Sequence, residues 1–560
     1  MDEFSSETAA VGKNARASLP LLLSEFLLAI WNQSKDGAVQ RRVCVLACLL
    51  SICGIAAFIG AVPTRQYGHD IFVLLDNGWR VLNGQRPHVD YYSSLGPVTF
   101  LISALGMRLS NYTVDGIGYG NACFGLLIGL WSYGISRGRM ESSPRILLTI
   151  FLALLVVAPY MLGQAPVSSG HAGVYNRYGY AVIGLVMLEA FQPVGGVKRM
   201  SGSWLGGISS GAAVALLLFL KASFFFVALL LIGASLLFWS RTRQRVMGMM
   251  LGFLLVALAL LAYLRFDIQA VVGDLSMAAG AKSQHASAFG FFYLAGSNAV
   301  YLLQVLLLAF AGSLAVDAAT PRWLDFRLLF LGALTFAADI LLLYSNGQGQ
   351  ALPVIAVFAI ILMNAITAHH RTLPTGEARI SRPYYAAMLS FGVVLLIPQL
   401  ASDLAGLTYG AWRKARPSNL AGIVRFTEPY LVPLLLYDDP EGPRSNGRVY
   451  ATYVNDGIAL LRRASGPGET IITVDMANPF TYALSRKPAL GGVSFGAYLS
   501  NAHHPSDDAF FGNVAIVMVP KHPADSDMAH DGFYKIYAPA LHERFWLAAE
   551  SDWWFLYKRK

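Results

Sequence analysis

PTRQYGHDIFVLLDNGWRVLNGQRPHVDYYSSLGP, residues 63–97, is the stretch from which the fold is read. It follows the first long apolar run, Val43 to Val62, and precedes another apolar segment, which makes it a loop at a membrane surface. Within it Ile71, Leu74, Leu75, Gly78, Trp79 and Leu82 recur at helical spacing and form one apolar stripe. Asp76, Asn77, Arg80 and Asn83 fall on the other side, and Gly84 followed by Pro87 supplies stop signals. The pattern predicts a helix lying in the interface plane, apolar face toward lipid, holding its polar groups at the water–lipid boundary. Three carboxylates (Asp70, Asp76, Asp90) and three arginines (Arg65, Arg80, Arg86) are gathered in the same stretch.

Composition agrees with a membrane setting. The chain of 560 residues is 55% hydrophobic and 13% charged, where a soluble protein carries about 25% charged residues. The net charge of +9 is spread in short basic groups between apolar runs, which is how topology signals look; no stripe for nucleic acid forms. The four cysteines, Cys44, Cys48, Cys53 and Cys123, all fall in apolar segments, so neither a disulfide framework nor a zinc site is indicated. The first apolar run is too long for a removed signal peptide, and no clear cleavage site follows it.

In chain order, Met1 to about Ser18 is polar and reads as disordered, and Leu19 to Trp31, interrupted by Glu25, as a cytoplasmic interfacial helix. Arg41 and Arg42 mark the cytoplasmic start of the first span. Val98 to Leu109 is too short to cross a hydrocarbon core of about 30 Å. Apolar runs then follow at about 116–136, 146–162, 177–192, 204–220, 223–239, 246–264, 289–312, 327–345, 351–368 and 384–402. With Val98 to Leu109 left uncounted, the basic loops (Arg137/Arg139/Arg145, Lys198/Arg199, Arg241/Arg243/Arg245, Arg322/Arg327, His369 to Arg371) share one side, and the poorly basic loops share the other with residues 63–97. The positive-inside rule favours that choice. About eleven spans result, up to thirteen if short segments cross, with the N-terminus inside and the C-terminal part outside.

Composition shifts near Ser402. Beyond it the pattern predicts a helix over about Val449 to Ser465, strands at ETIITVD and at 514–519, and a final hairpin in RFWLAAESDWWFLYKR. The division expected is therefore 1–42 as a cytoplasmic segment, 43–402 as the membrane domain, and 403–560 as a small extracytoplasmic α/β domain. His503, His504, Asp507, Asp508, His522, Asp525, Asp527 and His530 match no zinc spacing and read as solvated loops; no metal and no cofactor is expected.

A first span, then an outer loop with Asp70 in GHDIF, LNGQRP at 82–87 and DYYSSLGP at 90–97, resembles the GT-C superfamily of membrane glycosyltransferases. Protein O-mannosyltransferases and the aminoarabinose transferases of lipid A belong to it. The likeness is specific over about 50–100 and general elsewhere, and the loop ends in Gly96-Pro97 where the family often has Pro-Pro. It implies an α-helical polytopic, GT-C-like protein of the cell membrane (in a bacterium, the inner membrane). The activity implied is inverting transfer of a sugar from a polyprenyl-phosphate donor to a lipid, glycan or protein acceptor outside the cytoplasm, with an aspartate as base. A transporter or flippase, or a polymerase, of lipid-linked saccharides is the alternative; a transporter would want charges buried deep within spans and an internal repeat, and neither stands out, although Glu189 and Asp339 lie within apolar runs.

The chemistry suits the loop. An acceptor hydroxyl must lose a proton as it attacks the anomeric carbon, and a carboxylate in reach can take it. Asp76 has Arg80 four residues on, the spacing of an intrahelical ion pair. Asp70 lacks such a partner and otherwise reads as an N-cap before Ile71, while Asp90 could cap the turn into Tyr91. Asp70 is the preferred base, with Asp76 and Asp90 as the other candidates. Arg65, Arg80, Arg86, Tyr91 and Tyr92 in the loop are candidate substrate contacts. So are Arg177 in VYNRYGY and Lys221 in LFLKASFF, as cations for the leaving phosphate, and Asn346 and Gln348 in SNGQGQ.

Overall fold

The computed structural model describes residues 38–191, 204–238, 243–283, 287–316, 326–350, 352–416, 422–438, 446–496, 499–522 and 527–560. The expected interfacial helix at Leu19 to Trp31 lies outside them. The membrane part begins with α1 (Ala38–Ile59), the loop helix α2 (Asp70–Leu82) and a short α3 (Pro97–Leu109). It continues with α4 (Gly116–Ile135), α5 (Ser142–Val157), α6 (Val174–Ala190), α7 (Trp204–Leu218), α8 (Ala222–Phe238) and α9 (Arg243–Tyr263). Then come α10 (Ile268–Ser283), α11 (Ala288–Ser297), α12 (Ala299–Val316), α13 (Phe326–Asn346), α14 (Pro353–His370) and α15 (Thr375–Ala415).

Among the described residues, six helices are long and apolar enough to cross a membrane: α1 from Gln40, α9, α12, α13, α14 and α15. That is fewer than the eleven read from apolar runs. Helices such as α5, of 16 residues, reach only about 24 Å at 1.5 Å per residue. The single run expected at 289–312 is two helices, separated at Asn298, whose side-chain amide bonds the Leu294 carbonyl. Apolar side chains of α9 such as Met250 and Leu255 are exposed on the outside of the bundle, where lipid would lie. On its inner side α9 meets α7 through glycines: a Cβ on Gly211 would sit 1.9 Å from the Met249 carbonyl oxygen, so only hydrogen lets the backbones approach this closely.

One end of the bundle brings together the basic residues Arg139, Arg245 and Arg371. There Glu189 is buried between Arg139, at 2.5 Å, and Arg245, at 2.9 Å, and Arg371 pairs with Glu141. The other end carries residues 63–97, the α7–α8 turn and everything after α15. The composition change near Ser402 falls inside α15, which runs on to Ala415. Asp403 is therefore a helix residue of the bundle, and it is fully buried.

After α15, β1 (Ile423–Arg425) and β2 (Leu435–Tyr437) form an antiparallel pair, to which Thr64 of the loop adds a parallel bridge at Leu436. Helix α16 (Gly447–Ala464), β3 (Ile471–Thr473), α17 (Phe480–Ala483), α18 (Asp507–Phe511), β4 (Ile516–Pro520), α19 (Asp527–Arg544), β5 (Phe545–Glu550) and β6 (Trp554–Arg559) follow. Their sheet has the order β3-β4-β6-β5, with β3 and β4 parallel and the other pairs antiparallel. The amphipathic pattern of α16 and the closing hairpin appear where the sequence places them.

Helix α2 departs from expectation in its surroundings. It has no lipid-facing side, because both of its faces are covered by protein. Gly78 packs on Met107 and Ser103 of α3, and Trp79 lies edge-on to Tyr112 and Tyr482. The polar face, with Asp76, Asn77 and Arg80, is buried under the C-terminal domain. Burying charge is tolerable there because Asp76 Oδ2 pairs with Arg80 and Asn77 Nδ2 donates to two carbonyls, although Oδ1 of each has no hydrogen-bond partner.

Candidate functional site

The loop and the C-terminal domain are stitched by backbone hydrogen bonds: Gly491 N–H to Asp90 O, 2.8 Å; Tyr92 N–H to Gly492 O, 3.2 Å; and Ser494 N–H to Tyr92 O, 2.9 Å. Asn77 and Trp79 donate to the Ser494 and Arg486 carbonyls across the same joint. Arg80 is its centre. Its Nε bonds Asp76 Oδ2 at 2.9 Å, and its Nη1 donates to Gln85 Oε1 and to the Ala489 and Gly491 carbonyls. Burial raises the Asp76 carboxyl above the usual carboxylate range, opposed by the Arg80 charge. Asp76 and Arg80 are thus the intrahelical pair that their spacing suggests, engaged by the protein itself.

Asp70 is the first residue of α2, and His69 holds the cap position, so Asp70 does not cap the helix. Its Oδ1 lies 3.1 Å from His69 Nε2, its side chain is 20% exposed, and no Arg or Lys pairs with it among the described residues. Asp70 is thus an accessible carboxylate at the α2 N-terminus, beside an imidazole. Asp90 closes its own turn: Oδ2 accepts the Arg86 amide at 2.7 Å. Arg86 is half-buried with its guanidinium 6.0 Å from the Tyr263 ring, and its Nη1 has no hydrogen-bond partner. Tyr91 is buried against Arg80, 4.7 Å from guanidinium to ring, with an unpartnered hydroxyl. Arg65 is half-buried, and its amide bonds the Ser169 carbonyl.

Lys221 occupies the turn between α7 and α8. It is 8% exposed, and its ammonium donates to Asn346 Oδ1 at 2.7 Å and Asn176 Oδ1 at 3.2 Å, 5.0 Å from the Tyr175 ring. Among the described residues no carboxylate pairs with it. Burial, helped by repulsion from Lys282, pushes its amine down to about 7. Asn346 Nδ2, buried beside it, lies toward Tyr180 Oη without a hydrogen bond of normal geometry. Gln348 is buried too and accepts from Tyr180 Oη.

Arg177 is elsewhere in chemical terms. It is neither at an aromatic belt nor open to a ligand: it is 1% exposed and paired at 2.9 Å with Asp403. Its Nε and Nη1 also bond the Tyr160 and Leu155 carbonyls, and it stacks 4.2 Å from the Tyr160 ring. Asp403 takes Tyr160 Oη and Gln399 Nε2 besides. The pairing of Arg177 with phosphate drawn from its position at a span end therefore gives way to an internal ion pair.

A second long-range pair, besides Arg177 and Asp403, is hidden from the sequence. Asp274, on α10, accepts from His88 Nδ1 at 2.9 Å and from the Ser93 amide at 2.8 Å. Burial raises the Asp274 carboxyl, and the hydrogen bond from His88 opposes that. The two residues are 186 positions apart, which hides their pairing from any local pattern. Of the loop residues weighed as metal ligands, His504 bonds the Ser500 carbonyl and Asp508 pairs with Arg544.

No family model and no curated protein matches this chain. Among solved structures it is similar to ArnT from Cupriavidus metallidurans bound to undecaprenyl phosphate, with 14% identity over 93% of this chain and 98% of that one and a TM-score of 0.45. It is similar to the Archaeoglobus fulgidus oligosaccharyltransferase in complex with zinc and sulfate, with 13% identity, coverage of 84% and 68%, and a TM-score of 0.37. Arabinosyltransferase EmbB from Mycobacterium smegmatis aligns with 14% identity over 76% of this chain and 48% of that one, at a TM-score of 0.29.

Proposed function

We propose that this protein is a membrane glycosyltransferase that moves a sugar from a polyprenyl-phosphate donor to an acceptor hydroxyl outside the cytoplasm. Lys221 carries the reading. A buried ammonium held by two amide oxygens and a tyrosine ring, with no carboxylate paired to it among the described residues, is a site short of an anion. The phosphate of a lipid-anchored donor supplies one, its prenyl tail remaining in lipid. Asp70, at the same end of the bundle, is an accessible carboxylate with no Arg or Lys partner among the described residues.

In the reaction the acceptor oxygen attacks the anomeric carbon and its proton passes to Asp70. The bond from that carbon to the phosphate oxygen breaks, and polyprenyl phosphate leaves with the electron pair. Lys221 stabilises the charge gathering on that oxygen, so the steps written need no metal. A single displacement of this kind inverts the anomeric configuration. The site lies outside the cytoplasm, by the positive-inside argument, with the membrane a bacterial inner membrane.

The test is turnover of a panel of polyprenyl-phosphate sugars by purified protein in nanodiscs, read as release of polyprenyl phosphate. Lys221→Met is expected to weaken donor affinity about tenfold or more, as for loss of a charge-assisted contact. Wild-type affinity in that variant, or no turnover of any donor, refutes the proposal. A flippase for lipid-linked saccharides is the second reading, favoured by Asp339, whose buried Oδ1 has no partner within α13. It predicts movement of labelled donor across a vesicle with the sugar–phosphate bond intact.

A further inference from the structure

The 430 Å³ cavity where the loop, α10 and the C-terminal domain meet is lined by His88, Asp90, Tyr91, Tyr92 and Asp274 on one side and by residues such as Ser506 on the other. Its size falls in the range of small-ligand pockets, about 300–1,000 Å³. His88 is built into it at a cost. Its backbone has φ +70°, a left-handed conformation uncommon outside Gly that Asn, Asp and His adopt most readily, and such conformations are retained where surrounding contacts over-determine them. The contact that does so is Asp274. In the tautomer whose Nδ1 hydrogen meets the carboxylate, Nε2 is an acceptor, and among the described residues nothing bonds it. His88 is 6% exposed and lies on the cavity wall.

The wall is therefore rich in acceptors, His88 Nε2 and the carboxylates of Asp90 and Asp274, and it has tyrosine rings. A ligand must bring donors and an apolar face to match, which is the chemistry of a sugar. We propose that this cavity is the acceptor pocket, taking a polyhydroxylated glycan whose hydroxyl is received by His88 Nε2, with Asp274 as the residue that orients the ring. The inference rests on the glycosyl-transfer reading for its place in the reaction, and it commits that reading to a sugar acceptor.

The probes are methyl glycosides of the gluco, galacto and manno series, followed by saturation-transfer NMR on the full-length protein in nanodiscs. At least one is expected to bind wild type. His88→Asn keeps a residue tolerant of positive φ and an N–H for Asp274 but removes Nε2, so binding should weaken about threefold to tenfold. Asp274→Asn should do the same by freeing the ring. Ala509→Phe, an exposed wall position, fills the pocket without touching the pair and should abolish binding, which keeps the test decisive if His88→Asn misfolds. Lys221→Met should lose donor affinity and keep the glycoside, so a failed donor site and a failed acceptor pocket are told apart. No binding of any glycoside to wild type, or unchanged binding in His88→Asn and Ala509→Phe, overturns the proposal.

Discussion

Replacing Arg177 with alanine should unfold this protein more readily without first affecting its chemistry. Asp403 is fully buried, and its carboxylate takes Arg177 Nη1 at 2.9 Å, Tyr160 Oη at 2.9 Å and Gln399 Nε2 at 3.1 Å. The guanidinium is the one cation in that set. Its removal leaves an anion in a low-dielectric interior with two neutral donors, a situation worth roughly 3–5 kcal/mol of destabilisation. Arg177→Met with Asp403→Leu removes both charges together and should cost much less than either single change, since hydrophobic replacement of a buried pair is often close to neutral. The assay is reversible unfolding in mixed micelles for the four members of the cycle, with donor affinity measured on the folded fraction. Wild-type stability for Arg177→Ala, or a double variant as unstable as the two losses added, refutes the ion-pair account. Lost donor affinity at unchanged stability would return Arg177 to the phosphate.

Asp70→Asn should abolish transfer while leaving thermal stability within about 0.5 kcal/mol of wild type, because the residue is partly exposed and does not cap α2; near-normal turnover moves the base to Asp90 or Asp76. Lys221 is pushed down to about 7 from 10.5, so between those values the unfolded chain binds the extra proton and the folded one does not. Stability of wild type relative to Lys221→Met should therefore rise with pH from about 7 to about 10, and donor affinity should fall as pH climbs above about 7; flat profiles would count against an uncompensated lysine. Arg80→Ala strips the buried Asp76 of its cation and unties Gln85 and two carbonyls of the C-terminal domain, so a loss of roughly 3–5 kcal/mol is expected, with protease cutting in residues 486–494 as the readout. Cysteine at Ser506 should label from outside the cell and cysteine at Ser142 only after permeabilisation; the reverse would invert the topology and move the proposed chemistry to the cytoplasm.

Local pattern was enough for much of this chain. The stripe in residues 71–82 places α2 to within a residue of its start, the Asp76–Arg80 spacing gives their ion pair, and period-two runs locate β4 and the β5–β6 hairpin. These are short-range consequences of 3.6- and 2-residue periodicity, which any window of a dozen residues contains. What α2 packs against was not legible, because an apolar stripe reads the same whether it meets lipid or α3. The change near Ser402 marks no element boundary for a related reason: a helix leaving the bundle becomes polar before it ends, so composition changes inside α15. The site was least legible of all. Asp403 reaches Arg177 across 226 positions and Asp274 reaches His88 across 186, and each partner reassigns the other's role. A charge in a sequence is a cost awaiting its compensation. Only the folded chain decides whether that compensation is an internal carboxylate, as at Arg177, or is left for a ligand, as at Lys221.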